Sequence, residues 1–193
     1  MQSFDHINFI AFTGIFWFIF WIYWITAAKN PKSVRRQNHK EQAFILIRLA
    51  VCFALVYMPQ FSLGWLGYQL IVKGVATGLA GNFICAIGLL FAVWARRTIN
   101  SNWNDTTALT KRHKLVQQGP YRLVRHPIYT GLLLIWLGSA ITLGEARGFL
   151  ALVITFWGLW NKLQQEEALL CQQYPIRYPE YKQKVKTLIP FLL

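Results

Sequence analysis

The sequence predicts an all-α, polytopic integral membrane protein of about five transmembrane helices, with a polar loop and a polar C-terminal tail on one side. Three observations predict this. Only 14% of the 193 residues are charged, while 55% are hydrophobic and 16% aromatic; soluble domains carry roughly 25% charged residues. The charges cluster between long uncharged stretches, each apt for a lipid core rather than a globular one. The basic residues fall almost entirely into alternate connecting segments.

The elements follow in order. The first run, 7–28, is dominated by Phe16, Trp17, Phe18, Phe20, Trp21, Tyr23 and Trp24, and is long enough to cross a hydrocarbon core of ~30 Å. It follows Asp5 rather than basic residues, exceeds the length of a signal core and lacks a small-residue cleavage site, so it is expected to be a retained span. Loop 29–41 carries Lys29, Lys32, Arg35, Arg36 and Lys40. The second run, 43–66, has Arg48 near its start, where a long side chain can snorkel to the interface, and Pro59, expected to kink or end the helix. The third, 75–95, presents a small-residue face through Gly74, Gly78, Gly81 and Gly88, suited to close helix packing. Residues 96–127 form the longest polar stretch of the interior. The fourth run is 128–143 and the fifth 149–163. Only 144–148 separates them, so 128–163 should form an antiparallel helical hairpin. Both runs are short for spans and must either tilt little or continue as helix beyond the lipid.

Counting Lys and Arg fixes an expected orientation. Loop 96–125 holds Arg96, Arg97, Lys111, Arg112, Lys114, Arg122 and Arg125, and the tail holds Lys162, Arg177, Lys182, Lys184 and Lys186. With loop 29–41 this makes seventeen, against Lys73 and Arg147 on the opposite face. The N-terminus should lie outside, with the C-terminus, the central loop and the tail in the cytosol. The chain then divides into 1–95, three N-terminal spans with loop 29–41, and 96–193, the loop, hairpin and tail.

A net charge of +13 is compatible with nucleic acid, an anionic membrane surface or an acidic ligand. The position of the basic residues beside apolar spans favours the topological reading, and no nucleic-acid partner is expected. Cys52, Cys85 and Cys171 are far apart, with no CxxC and no Cys/His cluster, so no metal site is expected. There is no P-loop, GxSxG or HExxH, and no GxGxxG after a strand. Loops of this size cannot hold a dinucleotide-binding domain.

Two polar segments can carry chemistry. The central loop contains His113-Lys-Leu-Val116, Gly119-Pro-Tyr121 and Arg125-His-Pro-Ile-Tyr129. Pro127 suits the first helical position, and that helix start would present backbone N–H groups to an anion, beside Arg125 and His126. The alternative is an interfacial helix start with a snorkelling arginine and a tyrosine belt. Glu166 and Glu167 sit at the expected end of the fifth helix, with Lys162 one turn before Glu166. An exposed Lys–Glu pair of this kind contributes only ~0.3–0.5 kcal/mol, and acids at a helix C-terminus oppose its dipole.

In this order and spacing, His113-x-Leu-Val116, Gly119-x-Tyr121, Arg125-His-Pro-x-Tyr129, Glu166-Glu167 and the Tyr178/Tyr181/Pro190 tail resemble the isoprenylcysteine carboxyl methyltransferase family. The related phospholipid methyltransferases share the Arg-His-Pro and Glu-Glu elements. The resemblance covers roughly residues 95–193 and implies that 96–193 is a methyltransferase core. It implies S-adenosyl-L-methionine as cofactor, held by the cytosolic loop and tail. His113, Lys114, Leu115 and Val116 would line it, with Tyr121 against it. His126, Pro127, Ile128 and Tyr129 would hold it at the helix start, and Glu166 would close the site. The family often has an arginine, implicated in the substrate carboxylate, where this chain has Lys162, which keeps the charge without the bidentate fork. Pro175 replaces a glycine common in the tail.

The residues suit that chemistry. Methyl transfer is an in-line displacement whose main demand is alignment. Tyr121 or Tyr129 can face a sulfonium cation, Arg125 or His126 a carboxylate, and Glu166 an ammonium or ribose hydroxyls. A carboxylate acceptor is already ionised and needs no base, whereas an amine acceptor would lose a proton to Glu167 or a histidine. The expected catalytic set is therefore Arg125, Lys162 and Glu167. The expected partners are membrane lipids and a lipid-tailed small-molecule acceptor. The alternatives are a phospholipid or amine N-methyltransferase, a sterol-reductase-like NADPH enzyme, and a non-catalytic subunit holding anionic lipid on a basic face.

Overall fold

The computed structural model describes residues 2–27, 39–104 and 115–190. These form six α-helices: α1 (Gln2–Ala27), α2 (His39–Tyr57), α3 (Val75–Asn104), α4 (Pro127–Leu143), α5 (Ala146–Gln173) and α6 (Arg177–Lys184). Short 3-10 turns lie at Pro59–Phe61, Gly64–Gly67 and Gly119–Arg122. The all-α class is as the hydropathy pattern predicts. Two helical segments are long and apolar enough to cross a membrane, Phe9–Ala27 and Val75–Ile99, and Ala43–Tyr57 and Pro127–Leu143 are shorter apolar helices. The outer faces are oily: Phe12, Ile15, Phe18, Ile19 and Ile22 on α1 and Phe83, Ile87 and Leu90 on α3 are all exposed, a pattern that marks contact with lipid or protein.

Three helix ends differ most from the sequence expectation. The second helix stops at Tyr57, nine residues before the expected end at 66, because Met58 turns extended ahead of Pro59. The third and fifth continue past the expected ends at 95 and 163, to Asn104 and Gln173. Glu166 and Glu167 therefore sit about two turns inside α5, beyond the reach of the dipole penalty expected at its end.

The chain forms two compact units, neither contiguous in sequence, because α3, α4 and α5 each contribute to both. The first comprises Met1–Ile87 with Leu133–Gly158. Its centre is an aromatic cluster in which the Trp17 ring lies 4.7 Å from Trp136 and 4.9 Å from Phe53, and Trp17 Nε1 donates to Ser139 Oγ at 3.2 Å. Gly138 lets α4 approach α3: a Cβ there would lie 2.6 Å from Cys85 Sγ. The two cations assigned to the outer face, Lys73 and Arg147, share Glu145 at 2.5 and 2.7 Å. Arg147 Nη1 also donates to the Leu55 and Met58 carbonyls at 2.7 and 2.8 Å, which satisfies the otherwise orphaned C-terminus of α2.

The second unit comprises Gly88–Leu132 with Leu159–Leu193. Here Gly131 of α4 lies so close to α3 that a Cβ would meet the Gly88 carbonyl oxygen at 2.6 Å. Most of the polar residues singled out from the sequence are in this unit.

Candidate functional site

The site begins at a turn. Gly119 adopts φ +58°, and a Cβ there would lie 3.1 Å from Thr98 Oγ1 of α3, so glycine serves both the left-handed backbone and the approach. Pro120 then opens the 3-10 turn, and Tyr121 is carried into the interior. The Tyr181 hydroxyl of α6 donates to the Tyr121 carbonyl at 2.5 Å. Burial pushes both phenols up, so neither ionises near neutral pH.

The tail then doubles back on the start of α4. Val124 and Lys186 form a parallel bridge. The Arg125 and His126 amides donate to the Lys186 and Thr187 carbonyls at 2.8 and 3.1 Å, and Thr130 Oγ1 donates to the Leu188 carbonyl at 2.8 Å. These bonds run across the expected anion site. His126 N–H is taken by the tail, Pro127 has none, and Tyr129 N–H closes onto the His126 carbonyl at 3.0 Å. The protein's own backbone occupies most of this helix start.

Arg125 locks the tail in place. It is 7% exposed and all five of its N–H donors are engaged: Nε and Nη2 to Glu167 Oε1 at 2.9 and 2.7 Å, Nη1 to the Lys182 and Val185 carbonyls, and Nη2 also to Thr187 Oγ1 at 2.6 Å. Glu167, 3% exposed, also receives Lys182 Nζ on Oε2 at 2.8 Å. Burial alone would raise the Glu167 pKa, but its His126, Lys182 and Arg125 partners hold it down at about 2. The His126 Nε2 contact is long, 3.4 Å, and off hydrogen-bond geometry, so the two cations carry that effect. Arg125 and Glu167, both expected to be catalytic, thus bind one another and the tail: Arg125 has every donor engaged, and Glu167 is held ionised between two cations. Together they clamp the tail.

Glu166, the adjacent residue, faces elsewhere. Its side chain is 38% exposed, and its Oε1 accepts the Tyr129 hydroxyl at 2.6 Å. Lys162 Nζ, on a 39% exposed side chain, lies 3.9 Å from the same carboxylate oxygen and 5.8 Å from the Tyr129 ring centroid. His126 stacks parallel to Tyr129, with ring centroids 5.6 Å apart and planes within 3°, and its Nδ1 lies 3.9 Å from Glu166 Oε2. This half-open cluster has one carboxylate, one ammonium and two aromatic faces.

The structure thus brings together Arg125, His126, Pro127, Tyr129, Lys162, Glu166 and Glu167 of the predicted residues, with Ile128 half-buried on the first turn. Val116 is half-buried. Leu115 lines a separate groove of about 670 Å³ with Arg122, Arg177, Tyr181 and Lys184. His113 and Lys114 lie outside the described residues. Sequence reasoning missed Thr130, Lys182 and Thr187 as anchors of the tail. The signal for Glu167 was present: Ala151, Thr155, Leu159 and Leu163 are buried at four-residue spacing along α5, and Glu167 is the next member of that stripe.

A family model described as phospholipid methyltransferase matches residues 75–177. The chain is 37% identical over 82 residues to a probable protein-S-isoprenylcysteine O-methyltransferase of Oryza sativa subsp. indica, covering 42% of this chain and 43% of that protein. It is 26% identical over 173 residues to the protein-S-isoprenylcysteine O-methyltransferases of Mus musculus and Homo sapiens, covering 88% of this chain and 60% of each. It therefore spans between 43% and 60% of the length of these curated relatives.

Proposed function

The chain belongs to the phospholipid methyltransferase family, and we propose that it is a membrane-embedded, S-adenosylmethionine-dependent methyltransferase of the isoprenylcysteine carboxyl type, acting on a lipid-tailed acceptor. The observation that carries this reading is the meeting of two motifs distant in sequence, Arg125-His-Pro-Ile-Tyr129 and Glu166-Glu167, through the Tyr129–Glu166 bond of 2.6 Å. On this reading α1 to α5 each carry one of the five spans, with Glu166 and Glu167 on the extension of α5 beyond the apolar run 149–163; the N-terminus lies outside, the C-terminus and the site in the cytosol, and 96–193 is the methyltransferase core. The seventeen-to-two distribution of basic residues supports the orientation.

The accessible side chains fit the proposed cofactor. It supplies an electrophilic methyl group on a sulfonium. Glu166, with an exposed carboxylate, suits an ammonium or a ribose diol. The parallel His126 and Tyr129 rings offer a face for a cation. His113, Lys114, Leu115, Val116, Tyr121, Pro127 and Ile128 complete the proposed lining. Lys162 suits an acceptor carboxylate, as a point charge rather than a fork.

Two acceptor classes make different demands on the site. A carboxylate arrives ionised and needs only positioning. An amine must lose a proton, and Glu167, held at about 2, is poorly suited to take it; among the clustered residues this leaves His126 and Glu166. N-methylation of a phospholipid amine, which the family description favours, is the second reading. A methyl-labelled donor, offered with an S-prenylated N-acetylcysteine or phosphatidylethanolamine, tests both. The expected product is a base-labile methyl ester on the first. Base-stable label in the phospholipid would overturn the carboxyl reading, and label in neither would overturn the lipid-acceptor methyltransferase.

A further inference from the structure

Among the described residues, Arg48 of the first unit has no carboxylate partner. Arg48 lies on α2, among Ala43, Phe44, Leu46, Ile47 and Val51, which are exposed, yet its own side chain turns inward toward α5. Its guanidinium occupies the space that a side chain on Gly158 would fill, with Nη1 and Cζ closest to that position. The seam is continuous. Cys52, one turn further along α2, donates from Sγ to the Ala151 carbonyl and accepts from Thr155 Oγ1, both at 3.6 Å. Ala151, Thr155 and Gly158 thus give α5 a small-residue stripe facing α2, and the stripe ends under the guanidinium.

The two buried arginines are compensated, Arg147 by Glu145 and Arg125 by Glu167, whereas Arg48 is half-buried. Among the described residues, no carboxylate pairs with Arg48 and no acceptor takes its N–H groups. An arginine at the centre of a spanning helix costs ~2.5–3.5 kcal/mol on insertion scales, which makes an uncompensated one a site in want of an anion. Simple snorkelling to water would not require a glycine beneath the guanidinium.

We propose that Arg48 and Gly158 form a binding site for a lipid-borne oxyanion, a carboxylate or phosphate whose hydrocarbon tail lies along the α2–α5 seam. Gly158 seats the flat guanidinium against the α5 backbone, and the N–H edges then meet the headgroup in a bidentate fashion. This rests on α2 being a span, as proposed above, but not on the methyl-transfer chemistry.

The test uses the full chain in phosphatidylcholine vesicles. Tryptophan emission, to which the exposed Trp157 beside Gly158 contributes, is quenched with brominated phosphatidylcholine, brominated phosphatidylglycerol or brominated stearate. The wild type should be half-quenched by an anionic lipid at roughly tenfold lower mole fraction than by the neutral one. R48Q and G158A should both lose that preference while retaining quenching by phosphatidylcholine, and R48K should keep part of it. Stronger preference for stearate would assign a lipid-tailed carboxylate, and for phosphatidylglycerol a bilayer phospholipid. An anionic preference unchanged in both R48Q and G158A, or absent from the wild type, would overturn the site and leave the spans intact. No quenching by phosphatidylcholine would refute the spanning reading and the site with it.

Discussion

Replacing Glu167 by Gln tests whether the Glu-Glu pair divides its tasks as the geometry requires. The substitution keeps the shape and removes the charge that compensates Arg125 and Lys182. The carboxyl is held from an ordinary 4.5 down to about 2. At ~1.36 kcal/mol per unit this corresponds to about 3 kcal/mol favouring the ionised folded form, the lower end of the ~3–5 kcal/mol for breaking one side of a buried pair. The readout is amide hydrogen exchange at Arg125 and His126, whose N–H groups donate to the tail carbonyls of Lys186 and Thr187. Losing about 3 kcal/mol should accelerate exchange at these two amides roughly a hundredfold. The pH dependence has a fixed sign. A depressed carboxylate stabilises fully above its unfolded value of 4.5 and loses that contribution as pH falls through about 2. This group therefore gives flat protection across about pH 5 to 8 and an acid limb below about 4 that E167Q lacks. Exchange in E167Q within about threefold of wild type would refute the clamp.

Three further outcomes follow from neighbouring contacts. E166Q should leave the Arg125 and His126 amides protected, because Glu166 is half-exposed and outside the clamp, but should weaken S-adenosylhomocysteine binding about tenfold or more, the effect of a lost charged hydrogen bond; calorimetry reads it. K162R should lower KM for a carboxylate acceptor and leave that for the cofactor unchanged, since only the fork geometry is gained. G138L should destabilise the first unit by more than the ~1–3 kcal/mol of ordinary overpacking, because its Cβ alone would meet Cys85 Sγ at 2.6 Å; a lowered thermal midpoint in detergent reads it.

Much of the helical plan was legible from hydropathy, because a run without charge long enough to bury itself has few alternatives in lipid. Pro59 marked the end of α2, and Pro127 the start of α4, through the backbone groups proline lacks. The continuation of α5 to Gln173 was only half legible, since Gln164 to Gln173 places its apolar residues in one block, Ala168 to Cys171, rather than at helical spacing. The tail's return to Arg125 was not legible at all. Its bonds run from backbone to backbone across some sixty residues, as in Arg125 N–H to the Lys186 carbonyl, and such pairing leaves little trace in side-chain pattern. The division of labour between Glu166 and Glu167 depends on helix phase, which was hidden until the buried stripe could be carried from Leu163 to Glu167. The clamp made by Arg125 was hidden for a similar reason: an arginine beside a helix start suggests an anion, and only the folded tail shows its donors engaged.

The measurement that bears most directly on the proposed activity is a calorimetric titration of the purified chain in detergent, first with S-adenosylhomocysteine and then with NADPH. Saturable heat with the first, weakened in E166Q, and none with the second is the expected result. Heat with NADPH alone, or with neither at millimolar ligand, would contradict a methyl-donor site built on Tyr129 and Glu166.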